Sequence, residues 1–158
     1  MKQIAVIGSG GKLPPNVWRM AEEVGKAVAS RGAVLICGGR GGVMEAACKG
    51  AKEMKGLTVG VLPGRREEAN RYVDIAIVTE MGDARNAVNV KSGDAVIAIH
   101  GGAGTLSEIG LAIKSGKKVI ALKQSGGVAG RLAGEVIDGS PVLSALSVEK
   151  AIELAFEL

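Results

Sequence analysis

The chain has 158 residues, of which 47% are hydrophobic, and it carries a formal net charge of +4. This length predicts one domain that needs neither disulfides nor metals to hold its core, and the hydrophobic fraction excludes a disordered chain. Lys and Arg residues are scattered, which favours a solvated surface over a nucleic-acid or membrane surface, and no segment reaches the roughly 18 apolar residues of a membrane span.

Short apolar runs typical of β-strands alternate with helical patterns along the chain. The apolar runs predict strands at residues 4–7, 33–37, 58–62, 74–78, 95–99, 118–122 and 142–146. Between them, Pro14 and Pro15 open a first helix and Gly32 ends it. Further helices are predicted at residues 43–54, 84–91, 105–115 and 130–137, and Ser147 is predicted to cap a last one.

The alternation of strands and helices predicts the architecture. Consecutive strand–helix–strand units form right-handed crossovers and a parallel sheet that helices cover on both faces. We therefore predict an α/β fold with three layers, doubly wound and Rossmann-like, with a mostly parallel sheet of six to seven strands. Residues 1–158 are expected to form a single nucleotide-binding domain. In such sheets, ligands bind beyond the carboxyl ends of the strands, near the point where the strand order reverses.

The loop after the first strand excludes two common nucleotide motifs. It reads Gly8-Ser9-Gly10-Gly11-Lys12-Leu13. The dinucleotide fingerprint G-x-G-x-x-G needs glycine where Leu13 stands, and no acidic residue follows the second strand. A P-loop needs Ser or Thr after its lysine, which Lys12 lacks. Binding of NAD and hydrolysis of ATP are therefore disfavoured.

The loop after the second strand contains four glycines before a predicted helix. It reads Gly38-Gly39-Arg40-Gly41-Gly42-Val43-Met44-Glu45. Glycines at the start of a helix leave backbone N–H groups free to meet an anion. A tight turn alone rarely needs so many glycines, so we favour contact with a ligand.

The loop after the fifth strand contains three more glycines: Gly101, Gly102 and Gly104. The segment Thr105-Leu106-Ser107-Glu108 fits a capping box, with Thr105 as the N-cap and Glu108 at the third helical position. A capping box does not explain the glycines, which remove side chains where the helix dipole is positive and the first N–H groups are unpaired. We therefore predict that a phosphate monoester lies at this helix start.

No metal site and no disulfide framework are predicted. The chain has two cysteines, Cys37 and Cys48, without C-x-x-C spacing, and a single histidine. Cys37 ends an apolar run and Cys48 lies in a helical pattern, so both are interpreted as small packing residues.

At these motifs the chain resembles the Lonely Guy family, phosphoribohydrolases that release a free base from a nucleoside 5′-monophosphate. The stretch GGRGGVME at residues 38–45 is similar to the family's GGGxxGLM-type motif, and GGAGTLSE at residues 101–108 is similar to its PGGxGTxxE motif. A third stretch, Met81-Gly82-Asp83-Ala84-Arg85-Asn86, resembles the family's M-x-x-R-K element. The separation between Arg85 and Glu108 is the one that such proteins show.

Three departures from the family pattern point to a sister group. His100 replaces the family proline, Asn86 replaces its lysine, and Met81 lies one residue further from the arginine. In these respects the chain looks closer to the group that contains the molybdenum cofactor carrier protein, which shares the fold and binds the phosphate of a pterin. A more distant relative is the DNA-processing protein A family, which binds single-stranded DNA.

The resemblance implies roles for individual residues. Glu108 is implied as the catalytic carboxylate that stabilises positive charge on the ribose or activates a water, and Arg85 as the residue that orients it or the substrate. The phosphate- or nucleotide-binding residues would be Gly8, Ser9, Gly38, Gly39, Gly41, Gly42, Met44, Gly101, Gly102, Gly104 and Thr105.

Two functions stay open: hydrolysis of the N-glycosidic bond of a nucleoside 5′-monophosphate, and non-catalytic carriage of a molybdopterin-type cofactor. Neither requires a resident cofactor, and the bound ligand would be a nucleoside monophosphate or a molybdopterin-type molecule. Relatives imply a homo-oligomer, a dimer or a tetramer. Only three residues are aromatic, which argues against nucleic acid as a partner. A cytoplasmic location is expected, without a membrane partner.

Overall fold

The computed structural model describes residues 1–157, and its centre is an eight-stranded sheet with helices on both faces. The strands are β1 (Gln3–Gly8), β2 (Val34–Cys37), β3 (Thr58–Leu62), β4 (Ile75–Val78), β5 (Ala95–Ile99), β6 (Lys118–Leu122), β7 (Val136–Ile137) and β8 (Ser140–Ala145). Their order is β4-β3-β2-β1-β5-β6-β8-β7, and all neighbours are parallel except β7 and β8. The predicted three-layer α/β fold is confirmed, with eight strands instead of six to seven.

The additional strand belongs to a hairpin at one edge of the sheet, where a helix over residues 130–137 was predicted. That prediction is wrong, because a short helix ends at Leu132 and β7 then pairs with β8 across Asp138 and Gly139. Both turn residues have a positive φ, 49° and 76°, as a two-residue hairpin turn requires. The Asp-Gly pair decides the local structure here.

The described part of the chain contains six α-helices: α1 (Pro15–Ser30), α2 (Val43–Glu53), α3 (Arg85–Ser92), α4 (Ala103–Lys114), α5 (Gly127–Leu132) and α6 (Val148–Phe156). The predicted start of α1 at the proline pair is confirmed. The predicted cap of α6 is also confirmed, since the Lys150 N–H donates to Ser147 Oγ at 3.1 Å. Within residues 1–157, no helix combines the length and the apolar character needed to cross a lipid bilayer.

The core lies in two layers, one on each face of the sheet. Side chains alternate along β1, so that Ile4 and Val6 pack with α1, α2 and α6, whereas Ala5 and Ile7 pack with α3, α4 and α5. Each fully buried Val or Ile contributes about 1.5–3 kcal/mol to the stability of the fold. Strands buried on both faces explain why the sequence shows continuous apolar runs there.

The strand order reverses between β1 and β5, and this reversal positions the site. From β1 the chain builds the sheet outward through β2, β3 and β4, then returns to place β5 on the other side of β1. The loops that leave the carboxyl ends of β1 and β5 therefore diverge and open a crevice between them, where open α/β sheets bind ligands.

Candidate functional site

A cavity of about 410 Å³ lies at the carboxyl ends of β1 and β5. Residues from all three glycine loops line it, together with side chains from α3 and α4. Ten of the residues predicted from the sequence lie in this lining: Gly8, Ser9, Gly38, Gly41, Met44, Arg85, Gly102, Gly104, Thr105 and Glu108. The fold thus brings together loops that are far apart in the chain.

Three of the predicted ligand-binding glycines, Gly39, Gly42 and Gly101, lie outside the cavity lining. Their φ angles are positive, between 65° and 96°, a conformation that favours glycine at a turn. A Cβ on Gly42 would overlap the carbonyl oxygen of Ser9. These positions therefore have a structural reason to be glycine that does not involve a ligand.

The start of α4 differs from the prediction. The Leu106 N–H donates to the carbonyl oxygen of Gly102 at 2.9 Å, so Gly102 is the N-cap and the helix begins at Ala103. Thr105 is the third residue of the helix, is only 2% exposed and does not cap it, so the predicted capping box is wrong. The N–H groups of Ala103, Gly104 and Thr105 have no acceptor within residues 1–157, and an anion can take them.

Gly102 and Gly104 face open space beside these free N–H groups. A Cβ added at either position would meet no atom of the described chain within 4 Å. Gly8 is different, because a Cβ there would overlap the carbonyl oxygen of Ile99. Packing within the protein therefore explains Gly8 but not Gly102 or Gly104, and the space in front of the helix is free for a ligand.

Arg85 lies against the second glycine loop. A Cβ on Gly38 would come within 2.8 Å of both Arg85 Nη2 and Met44 Sδ, so Gly38 leaves room for the guanidinium group. Arg85 Nη1 donates a hydrogen bond to Asn86 Oδ1. The Arg85 Nε atom is buried and has no acceptor among residues 1–157. The positive charge is thus held at the cavity, with donor capacity left for an anionic ligand.

Glu108 lies one helical turn into α4 and is only 6% exposed. Burial raises the pKa of its carboxyl group to about 7, although a hydrogen bond from Asn89 and the charge of Arg85 act in the opposite direction. Asn89 Nδ2 donates to Glu108 Oε2 at 3.1 Å. A carboxyl group with a pKa near neutrality can both accept and donate a proton at physiological pH, as general acid–base chemistry requires.

Almost the whole chain, including the residues that line this cavity, matches a known protein family. Residues 1–152 match the SLOG cluster4 family. The chain belongs to this family. Together with the relatives described next, this match confirms the superfamily expected from the glycine motifs.

Several similar proteins carry names with functional content, and three of them follow. A cytokinin riboside 5′-monophosphate phosphoribohydrolase of Mycobacterium tuberculosis is 36% identical over 110 residues, 67% of this chain and 59% of the mycobacterial protein. The solved molybdenum cofactor binding protein of Rippkaea orientalis is 42% identical with a TM-score of 0.88, covering 97% of this chain and 94% of that one. The molybdenum cofactor carrier protein of Chlamydomonas reinhardtii is 39% identical with a TM-score of 0.86, covering 97% and 95%. Relatives with either kind of name thus fall within the superfamily.

The cavity of this SLOG cluster4 protein contains side chains that sequence reasoning missed. Asn89, Arg40 and Asp83 line it but were not among the predicted site residues. Asn89 follows Arg85 by one helical turn, so the two share a face of α3. The signal available in the sequence was an asparagine that follows a candidate arginine by one turn of a predicted helix.

His100 lies just outside the cavity lining of this SLOG cluster4 protein. Its φ is 56°, which is uncommon for a residue with a side chain. Its N–H donates to Ser125 Oγ at 2.7 Å, while the ring atom Nδ1 is buried without a partner in the described chain. The hydrogen bond to Ser125 ties the end of β5 to the segment that leads into α5.

Cys37 and Cys48 lie in the core between β2 and α2. Both are fully buried free thiols, and their Sγ atoms are 3.5 Å apart. This placement agrees with the expected packing role. Across residues 1–157, no group of three or more His, Cys, Asp or Glu side chains is placed to hold a metal ion.

Proposed function

We propose that this protein binds a nucleoside 5′-monophosphate and hydrolyses its N-glycosidic bond, releasing the free base and ribose 5-phosphate. One observation carries the proposal: unpaired N–H groups at the start of α4 lie one helical turn from the buried carboxyl group of Glu108. One turn rises about 5.4 Å, the scale that separates a 5′-phosphate from the ribose ring. The mycobacterial phosphoribohydrolase supports the same activity.

The proposed reaction uses the charges at the cavity. The phosphate accepts hydrogen bonds from the N–H groups of Ala103, Gly104 and Thr105, and the Arg85 guanidinium adds positive charge to the same cavity. The ribose then lies next to Glu108. As the C1′–N bond breaks, its electron pair moves to the base and positive charge develops on the ribose, which a carboxylate stabilises.

Glu108 also has a role in proton transfer. A water oxygen forms the new bond to C1′, and Glu108 in its carboxylate form accepts the proton that this water loses. The departing base takes up a proton as it leaves. Because burial raises the pKa of Glu108 to about 7, the group exchanges protons readily at neutral pH. The proposed reaction needs no resident metal or cofactor.

Release of free base tests this proposal. The protein is incubated with a panel of nucleoside 5′-monophosphates, and free bases are separated by chromatography. We expect release from at least one nucleotide, and a loss of about 10²-fold or more in Glu108→Gln, which still binds the nucleotide. Glu45→Gln is the matched control, because Glu45 lies in the first turn of α2 and outside the cavity lining.

Two outcomes contradict the proposal. If no nucleotide releases a base even at high protein concentration, the hydrolase function is wrong. If Glu108→Gln retains full turnover, Glu108 is not the catalytic group. In either case the same cavity remains available to a ligand that is only bound.

A second function, carriage of a molybdopterin-type cofactor, has its own support. The two molybdenum cofactor proteins align with nearly the whole chain and are 42% and 39% identical, whereas the phosphoribohydrolase aligns with 67% of it. The free N–H groups of α4 would hold the phosphate of the pterin. Native mass spectrometry of the purified protein, with added pterin or nucleotide, tests this function. A bound pterin without base release supports it, and the absence of any bound pterin contradicts it.

A further inference from the structure

Asn89 carries an unused hydrogen-bond acceptor at the cavity. Its side chain is 1% exposed and belongs to the cavity lining. Nδ2 is engaged, since it donates to Glu108 Oε2 at 3.1 Å. Oδ1 is buried and receives no hydrogen bond from any residue of 1–157. A buried carbonyl oxygen without a donor destabilises a fold, so such an atom calls for a partner from outside the chain.

The orientation of the Asn89 carboxamide is set by Glu108. Because one N–H of Nδ2 donates to the Glu108 carboxylate, a flip of the group would place Oδ1 against a carboxylate oxygen and lose that bond, so Oδ1 stays turned away from Glu108. It therefore presents an acceptor, and the ligand must supply an O–H or N–H donor at this place. Asn86, the other asparagine of α3 at the cavity, differs because its Oδ1 already accepts from Arg85.

The position of Asn89 indicates which part of a nucleotide supplies the donor. Asn89 contacts Glu108, which follows Gly104 by one turn of α4, whereas the phosphate would lie at the start of that helix. A single methylene joins a 5′-phosphate to its ribose, so the ribose ring lies at the level of Glu108 and Asn89. The hydroxyl groups are the hydrogen-bond donors of that ring.

We propose that Asn89 Oδ1 accepts a hydrogen bond from a ribose hydroxyl group and thereby makes the site selective for ribonucleotides over sugars that lack this hydroxyl. This inference rests on the proposed nucleotide site. A site built to bond a hydroxyl group rejects an analogue that lacks it, because the buried acceptor then stays unpaired. Asn89 is thus a specificity-determining residue, distinct from the catalytic role proposed for Glu108.

Sugar phosphates without a base test the inference at equilibrium, since they cannot be hydrolysed at C1′. Calorimetry compares ribose 5-phosphate with 2-deoxyribose 5-phosphate, which lacks the 2-hydroxyl group, and with xylose 5-phosphate, in which the 3-hydroxyl group is inverted. We expect the wild-type protein to bind ribose 5-phosphate about tenfold more tightly than one of the two analogues. In Asn89→Leu this ratio should fall to about two or less.

Matched variants separate selectivity from folding. Lys91→Ala changes an exposed residue of the same helix and should keep the wild-type ratio. Circular dichroism checks that Asn89→Leu folds, and Asn89→Ala replaces it if it does not. If neither variant folds, equal affinities of the wild-type protein for all three sugars still overturn the inference.

The outcomes distinguish a failure of the role proposed for Asn89 from a failure of the proposed nucleotide site. Equal affinity of the wild-type protein for all three sugars overturns the role of Asn89 and leaves the phosphate site standing. An equal loss of affinity for all three sugars in the Asn89 variants makes Asn89 a positioning residue for Glu108 and also overturns the inference. If no sugar phosphate and no nucleotide binds to the wild-type protein, the proposed nucleotide site itself is wrong.

Discussion

Opposing effects act on the carboxyl group of Glu108. Burial removes water from the charged form, while the Asn89 side chain and the Arg85 charge favour that form, and burial is the larger effect. The pKa therefore rises from 4.5 to about 7. A folded protein that keeps such a group at a cavity loses stability when the group ionises, and this cost is understandable where the group serves chemistry.

This cost predicts how stability depends on pH. Because the folded protein binds the Glu108 proton more tightly than the unfolded chain, the contribution of Glu108 is complete below about pH 4.5 and is lost as the pH rises through about 7. Glu108→Gln removes the ionisation. At about pH 8, we expect the free energy of unfolding of this variant to exceed that of the wild-type protein by up to about 3 kcal/mol. At about pH 5, the two free energies of unfolding should be close.

Urea denaturation at the two pH values measures this difference. Glu149→Gln, which changes an exposed carboxylate of α6, is the control and should show no such dependence. An unchanged stability of Glu108→Gln at both pH values would show that the carboxyl group is not held in its neutral form.

At the scale of elements, the start of α4 combines two features that a stable helix would avoid. Glycine at Gly104 weakens the first turn, and no side chain caps the free N–H groups. A Cβ at this position would have no atom of residues 1–157 within 4 Å, apart from its chain neighbours and the backbone of its own helix. The absence of a side chain is therefore explained by the space in front of the helix, which the proposed phosphate would occupy.

Gly104→Ala should consequently separate stability from binding. We expect the free energy of unfolding to rise by about 0.5–1 kcal/mol, because alanine favours the helix, while affinity for ribose 5-phosphate falls at least about tenfold. Denaturant unfolding and calorimetry measure the two effects. Gly110→Ala, in the exposed middle of the same helix and also without close neighbours, should raise stability similarly and leave binding unchanged. Unchanged binding in Gly104→Ala would contradict a phosphate at this position.

At the scale of the whole molecule, the edge strand β4 exposes apolar side chains that the fold does not bury. Ile75, Ile77 and Val78 are each more than two-fifths exposed, and Met81, which follows, is half exposed. An exposed apolar edge strand is prone to pair with another chain. We expect a second copy of this protein to cover it, in a dimer or a tetramer.

Light scattering tests this expectation. The wild-type protein should have a mass that is a multiple of 16.0 kDa, and Ile77→Lys should lower it towards 16.0 kDa without loss of helical circular dichroism. Leu146→Lys is the control, because Leu146 is an exposed apolar residue outside β4. A monomeric wild-type protein, or an assembly that Ile77→Lys does not change, would contradict this interface.

Local features of the amino-acid order were enough to establish much of the fold. Seven of the eight strands, the start of α1 and the cap of α6 follow from apolar runs, the proline pair and Ser147, since each depends on residues close together in the chain. The hairpin of β7 and β8 depends on an equally local feature, the Asp-Gly pair at residues 138–139, but this pair was not used in the prediction, which placed a helix at residues 130–137. The glycine motifs also pointed to the superfamily, to Arg85 and to Glu108.

The composition of the cavity depends on contacts between segments that are distant in the chain. Local sequence patterns do not show which of these segments meet. Helical spacing places Arg85 and Asn89 on one face of α3, but only the folded structure shows that Asn89 meets Glu108 at a cavity. Likewise, a glycine can serve a turn or leave room for a ligand. Only the folded structure shows that Gly42 packs against the first glycine loop whereas Gly102 faces open space. The space around a residue depends on which distant segments pack against it.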